Sequence, residues 1–494
     1  MARQRLALVT LGIMLSLFMA SMESTVVSTA MPTIVRQLGG FELYSWVFAA
    51  FMLTSTTTVP LYGKLSDLYG RRPVYAAAMA LFLVGSLLCG RASSMALLIT
   101  ARAIQGLGAG GVVPLAFIII ADLFTLEQRT RMQGLFSGVW GVSSIVGPLL
   151  GGFLVDQVGW PWVFYINLLP GVLAALLVWS AWVEPAGAAG RRPQVDYLGA
   201  GLLSGAIVAL LVGLTILGTA TSWALLGGAV VLGGGLVLVE RRAADPILPL
   251  ALLRQRLVAM ACVQGVLAGW ALFGSAAYVP LFVQSVLGTS ATAAGATLTP
   301  QLIAWVTASI IGSWLLLRVG YRPLALLGMS VLTVGMGLLA RIGVQTSQGA
   351  LMGYLGLTGL GMGLVIPAFL IAVQSTVRRE HLGTATAAVQ FSRSIGGTLG
   401  VSVMGVVLSG QLAARLAAAG LDPQALSVER LLDPLQQTGP GAVSEVAVRT
   451  ALAGAVARIF LVAFVAAGLG LVATLNAPRG RIEQLAAGRR DPAG

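Results

Sequence analysis

Apolar runs of at least about 18 residues recur from one end of this sequence to the other. A run of that length can cross the hydrocarbon core of a bilayer as an α-helix, in which every backbone polar group finds its partner within the segment. Composition agrees: of 494 residues, 57% are hydrophobic and 10% are charged, against about 25% charged in a soluble domain. A soluble enzyme, a fibrous protein and a disordered chain are excluded. The length belongs to one polytopic membrane body.

The formal charge is +13, but the basic residues stand between apolar runs and not in one patch. That pattern fits loops at an anionic membrane face and argues against a nucleic-acid partner. Cys89 and Cys262, the only cysteines, lie inside apolar runs and read as small packing residues. With His381 the only histidine, Cys/His metal clusters and Cys-His or Ser-His catalytic pairs are almost excluded. The chain is expected to be neither an enzyme nor a metalloprotein.

The hydropathy pattern predicts fourteen helices, over 6–31, 44–63, 73–91, 96–122, 131–155, 161–183, 197–218, 222–240, 257–287, 291–317, 323–342, 350–377, 382–412 and 451–476. With the N-terminus in the cytoplasm, 21 of the 30 Lys and Arg fall in inner segments, 6 in outer segments and 3 (Arg102, Arg393, Arg458) within helices. This satisfies the positive-inside rule and puts both termini in the cytoplasm.

The chain also repeats itself. Gly106-Leu-Gly-Ala-Gly-Gly-Val-Val-Pro114 matches Gly359-Leu-Gly-Met-Gly-Leu-Val-Ile-Pro367. Gly134, Gly147 and Gly151 match Gly383, Gly396 and Gly400. Gly70-Arg-Arg-Pro73 matches Gly320-Tyr-Arg-Pro323, and Pro32 matches Pro280. Among 63 glycines one short match would mean little, but these four keep their order at offsets of 248 to 253. The organisation expected is an N-terminal six-helix bundle (1–190), an inserted pair of helices (191–245) and a C-terminal six-helix bundle (246–494) with a long outer loop (413–450). Two such halves suit a rocker that exposes a midplane site to each side in turn.

The loop after the second helix reads Gly63-Lys-Leu-Ser-Asp67-Leu-Tyr-Gly70-Arg71-Arg72-Pro73. Gly63 and Gly70 allow a tight turn, while Asp67, Arg71 and Arg72 can cap helix ends or form a cross-helix ion pair. At this spacing, between two membrane helices, the loop resembles the signature of the major facilitator superfamily. The copy at 312–323 has Leu317 where the acid would align. Arg102-Ala-Ile-Gln105-Gly106 looks like the superfamily's helix-four motif. Gly138-Val-Trp140-Gly141 and Gly147-Pro148-Leu-Leu-Gly151-Gly152 look like the helix-five motif of its antiporters. Met22-Glu23-Ser-Thr25-Val-Val-Ser28-Thr-Ala-Met-Pro32 resembles the first-helix motif of the fourteen-helix drug–proton antiporters, which usually carries Asp at Glu23 and Asn at Ser28.

Glu23 is the only acid placed well inside a predicted helix. A buried carboxylate is costly unless paired or protonated, so proton exchange is its natural chemistry. A structural ion pair with Arg102 is the other reading. Glu23 lies about 10 Å below the outer end of helix one and Arg102 about 9 Å below that of helix four, so the two share a depth. A pair that breaks on protonation would satisfy both readings. Arg393, mid-helix, either meets a polar substrate group or has a structural or gating role. The resemblance places the substrate cavity on helices that carry Gln105, Trp140, Gln264, Trp270, Trp305 and Gln390, each of which also suits an ordinary core. In the outer loop, Leu426, Leu431, Leu432, Val443, Val446 and Val448 suggest amphipathic helices on the membrane face.

The fold expected is therefore all-α: a major facilitator fold of two six-helix bundles plus an inserted two-helix hairpin. The resemblance implies a monomeric multidrug-efflux antiporter in a bacterial cytoplasmic membrane. It would export lipophilic neutral or monovalent cationic compounds and have membrane lipids as neighbours. It would need no cofactor, only a proton gradient as its energy source. Export of a lipid-like amphiphile on the same scaffold is the alternative.

Overall fold

The computed structural model describes residues 3–39, 43–182, 196–243, 246, 250–289, 291–420 and 442–478. Every regular element among them is helical. The helices are α1 (Arg3–Leu38), α2 (Tyr44–Tyr69), α3 (Arg71–Gly90), α4 (Met95–Leu123), α5 (Leu126–Gln157), α6 (Trp162–Tyr165), α7 (Leu168–Ala181), α8 (Tyr197–Thr215) and α9 (Ala220–Glu240). They continue as α10 (Leu250–Leu253), α11 (Arg256–Ser285), α12 (Ala291–Val319), α13 (Tyr321–Leu339), α14 (Gln348–Thr376), α15 (Leu382–Ala418) and α16 (Ala442–Leu475).

Twelve helical segments among the described residues are long and apolar enough to cross a membrane, with α6 and α7 forming one of them. The long helices α2 and α5 fall outside that set. They carry the Thr/Ser run 54–58 and the polar start Glu127–Arg131 respectively.

Helix starts follow local chemistry. Ser94, Asp196 and Thr219 accept from first-turn N–H groups, and Thr125 forms a capping box with Gln128. The predicted sixth helix is broken. Pro170 has no N–H for the Ile166 carbonyl, so the chain turns at Ile166 and Asn167 before α7 begins. Of the expected tight turn, Gly70 alone makes the corner, at φ +92°. Gly63 lies inside α2. The loop expected over 413–450 is shorter: α15 runs on to Ala418 and α16 begins at Ala442. Of the amphipathic stretch, Leu426, Leu431 and Leu432 lie outside the described residues and Val446 and Val448 belong to α16.

The chain forms two compact units, Met1–Ala259 with Leu370–Phe391, and Met260–Phe369 with Ser392–Gly494. In the first, α4 packs between α2 and α3, α1 lies against α5 and α7, and α8 pairs with α9. The repeated glycines do the same work in both units. A Cβ at Gly106 or Gly110 would strike α2 at Thr54 or Thr58, and one at Gly108 would strike α3 at Phe82. Likewise Gly359 and Gly363 meet α12 at Gln301 and Trp305, and Gly361 meets α13 at Leu332. Alternate glycines thus let one helix approach two neighbours closely, as small residues do in membrane bundles.

Candidate functional site: a buried carboxylate–guanidinium network

Glu23 of α1 and Arg102 of α4 meet, with Glu23 Oε1 paired to Arg102 Nη1 and both side chains 1% exposed. The same nitrogen donates to Gln105 Oε1 at 2.6 Å, and Arg102 Nε donates to the Val47 carbonyl at 3.3 Å. The guanidinium stands 4.1 Å from the Phe51 ring centroid and 5.9 Å from that of Phe164. Gln105 is fixed in turn. Its Nε2 donates to Ser86 Oγ at 2.8 Å, and Cys89 Sγ donates to its Oε1 at 3.7 Å. The second carboxylate oxygen, Glu23 Oε2, accepts from Nδ2 of Asn167 at the α6–α7 break.

Local sequence builds this network. Gly85 lets α3 lie directly on the backbone of Gln105, where a Cβ would collide. Met22, Val26, Leu98, Ala101 and Phe164 belong to the apolar core beside the pair. The arrangement has a chemical consequence. If Glu23 is neutralised, Arg102 keeps two oxygen acceptors and two ring faces. The cation is therefore not abandoned in an apolar interior when its counter-ion disappears.

A second polar centre lies at the α2–α3 corner. Asp67 Oδ1 accepts from the Gly383 N–H at 3.0 Å, and Oδ2 accepts from the Thr384 N–H and hydroxyl at 2.8 Å each. Arg71 Nη1 pairs with Asp67 Oδ1 at 2.7 Å. Arg71 Nε reaches Asp122 Oδ2 at 3.0 Å, and Arg379 Nε reaches Asp122 Oδ1 at 3.1 Å. Gly63 permits this approach, since its Cβ would meet Gly383 and Ala387. Arg72 points elsewhere, with its Cζ 4.2 Å from the Trp179 ring centroid.

The helix-five glycines divide. Gly147 presses on Thr25 and Met22 of α1, the residues flanking Glu23. Gly138 and Gly152 have open space where a Cβ would go. Gly141 and Gly151 lie within α5, and the side chain of Pro148 is outside the described residues.

The expected cavity residues also divide. Gln105 is consumed by the Arg102 network. Gln264 is buried, donating to Met329 Sδ and accepting from Thr474 Oγ1 at 3.3 Å. Both are hydrogen-bonded within the protein. Trp140, Trp270 and Trp305 are half-buried. Trp270 Nε1 and the buried Gln390 Nε2 have no hydrogen-bond partner among the described residues. Arg393 is half-buried, on α15.

Sequence reasoning missed Asn167, Ser86, Asp122, Arg379 and Thr384. Asn167 had a visible signal, a carboxamide inside an apolar run beside Pro170. The others are short polar or end-of-helix residues whose partners lie on other helices.

Comparison with known proteins agrees with this architecture. The family model described as Major Facilitator Superfamily matches residues 13–401. The chain is 38% identical over 416 residues to the multidrug transporter protein MdtP of Bacillus subtilis, covering 82% of this chain and 76% of that one. It is 34% identical over 494 residues to multidrug resistance protein 3 of the same organism, covering 97% and 96%. The fold matches that of the human organic anion transporter MFSD10 at a TM-score of 0.63 and 15% identity, over 93% of this chain and 99% of that one. A family match across most of the chain, twelve candidate membrane spans among the described residues and a polar network built across several helices lead to one assignment: this chain is a transporter belonging to the major facilitator superfamily.

Proposed function

We propose that this chain is a proton-coupled efflux antiporter. It exports lipophilic neutral or monovalent cationic compounds by alternating access across a bacterial cytoplasmic membrane, as a monomer with fourteen membrane helices. Besides the twelve candidate spans, α2 and α5 make up the fourteen. Relatives named for multidrug transport and multidrug resistance support a drug-transport role. The observation that carries the reading is the Glu23–Arg102 pair, buried to 1% exposure. A carboxylate there exchanges one charge when it takes up a proton, and the network around Arg102 tolerates the change.

In the cycle, Glu23 is protonated from the outer side, the carrier reorients, and the proton leaves to the cytoplasm as substrate is taken up. The Asp67 junction with α15 is made and broken as the carrier reorients. The test is accumulation of a dye panel in proteoliposomes under an imposed pH gradient. Glu23→Gln, with unchanged elution as a folded protein, is expected to abolish uphill transport. Uphill transport retained by that variant would overturn the coupling role.

A further inference from the structure

Among the side chains of Glu23, Ser86, Arg102, Gln105 and Asn167, one buried polar atom has no hydrogen-bond partner among the described residues: Oδ1 of Asn167. Asn167 is fully buried, and its Nδ2 donates to Glu23 Oε2. A carboxamide has a donor end and an acceptor end, a carboxylate only accepts, and a carboxylic acid also donates. The orientation present therefore suits ionised Glu23 and opposes the protonated form. With a proton on Oε2, two donors would face each other while an acceptor lay idle at the other end of the same carboxamide.

We propose that Asn167 is a two-position switch that holds Glu23 in both protonation states. This rests on the reading of Glu23 as the proton site. When a proton arrives from water and an O–H bond forms on Oε2, Glu23 becomes neutral. The carboxamide turns half a revolution about its terminal torsion, so that Oδ1 accepts from the new O–H. That torsion is broad and roughly two-fold, so both positions are open to it. On release, the O–H bond breaks, the proton returns to water and Nδ2 swings back to the carboxylate. Arg102 stays charged throughout, held by Gln105 and Val47.

The groups that face Glu23 allow this assignment. From α4 comes Arg102, and from α3 comes Cys89, which hydrogen-bonds to Gln105. The charged residues of α5, namely Glu127, Arg129, Arg131 and Asp156, stand at its two ends. Helix α7 has no titratable residue, and Tyr165 of α6 lies against Gly90. The titratable side chains of α2, apart from Tyr44 at its start, fall at 62–69, far along the helix from Val47.

The chain contains two asparagines, Asn167 and Asn476, which makes a direct test practical. Asparagine carrying 13C at its side-chain carbonyl is incorporated into the full-length Asn476→Gln protein. Infrared difference spectra are then taken between acid and alkaline pH in lipid. Two changes with one midpoint are expected. A carboxylic-acid C=O band appears that Glu23→Gln removes, and the labelled Asn167 carbonyl moves to lower wavenumber as it gains a hydrogen bond. In Asn167→Leu, the Glu23 acid band is expected at higher wavenumber. A Glu23 band without any movement of the Asn167 carbonyl would overturn the switch alone. Absence of the Glu23 band would overturn the coupling reading, and the switch with it. The isotope signal comes from native Asn167, so the result stands even if Asn167→Leu fails to fold.

Discussion

Asp67 and Thr384, 317 positions apart in the chain, share one carboxylate oxygen: Oδ2 accepts both the backbone N–H and the hydroxyl of Thr384, each at 2.8 Å. Together with the Gly383 N–H on Oδ1, this satisfies first-turn donors of α15 that have no partner within their own helix. The negative charge also meets the positive end of the helix dipole. The cap is supplied by another helix, so it can form and break as a unit.

Asp67→Asn is expected to slow turnover while leaving substrate affinity unchanged, because the cap is remote from Glu23. Thr384→Val keeps the backbone donor and loses only the hydroxyl, about 1 kcal/mol of hydrogen bonding, so its effect is expected to be smaller. Substrate binding to purified protein, set beside transport rates in vesicles, checks both. A loss of affinity at unchanged turnover would overturn the assignment.

Gly70 and Gly320 sit at equivalent corners, at φ +92° and +84° with ψ near 160° and 168°. That region is essentially restricted to glycine, and another residue there costs on the order of 1–3 kcal/mol. Gly70→Ala and Gly320→Ala are both expected to lower the melting temperature in detergent. Only Gly70→Ala is expected to impair transport as well, because Asp67 has no counterpart where Leu317 stands. Equal effects of the two on transport would show that the corner, and not the cap, matters.

Much of this fold is legible in the sequence. The apolar runs and the displaced Gly-Pro motifs mark the membrane helices and the duplication. Counting residues from the helix ends is enough to put Glu23 and Arg102 at one level. What is not legible depends on contacts between distant positions. Gly63 reads as part of a turn because glycine favours turns, yet it lies in a helix and serves a close approach to Gly383. Gln105 and Gln264 are placed at a cavity only by the resemblance, and periodicity cannot say that Ser86 and Met329 hydrogen-bond to them.

Gly147 and Gly152 provide a matched pair within one helix. A Cβ at Gly147 would collide with Thr25 on α1, whereas one at Gly152 meets open space. Gly147→Ala is expected to displace α1 next to Glu23 and reduce both stability and proton-driven transport. Gly152→Ala should be neutral, or stabilising by up to about 1 kcal/mol through helix propensity. Thermal melting of the two variants in the same detergent decides it, and equal losses would mean that the α1–α5 contact is not tight.

Removing Arg102 alone leaves the Glu23 carboxylate buried without a cation, a situation that costs about 3–5 kcal/mol. Arg102→Gln is therefore expected to melt well below the wild type. Adding Glu23→Gln to it removes the orphaned charge and is expected to recover much of the loss. A double variant no more stable than Arg102→Gln would show that the two residues do not depend on each other for burial. The comparison reads stability alone, so it is independent of whether either residue moves protons.

Substrate charge follows from where the acids stand. A dication entering a low-dielectric site needs about two compensating negative charges, since each unpaired charge costs several kcal/mol. Between Met260 and Phe369 the chain has no acidic residue at all. Glu23 is already paired to Arg102, and Asp122 is held by Arg71 and Arg379. Asp156 is exposed near the end of α5. One carboxylate can exchange one proton for one monovalent cation, and a neutral amphiphile needs no acid. Mono-quaternary and neutral lipophilic dyes are therefore expected to be driven by the pH gradient, with the matching bis-quaternary dye moved poorly or not at all. Rates and affinities for a matched mono- and bis-quaternary pair in the same vesicles check this. Comparable transport of the bis-quaternary dye would require a second acid in the pathway, and Asp122→Asn and Asp156→Asn would then identify which one by restoring the expected preference.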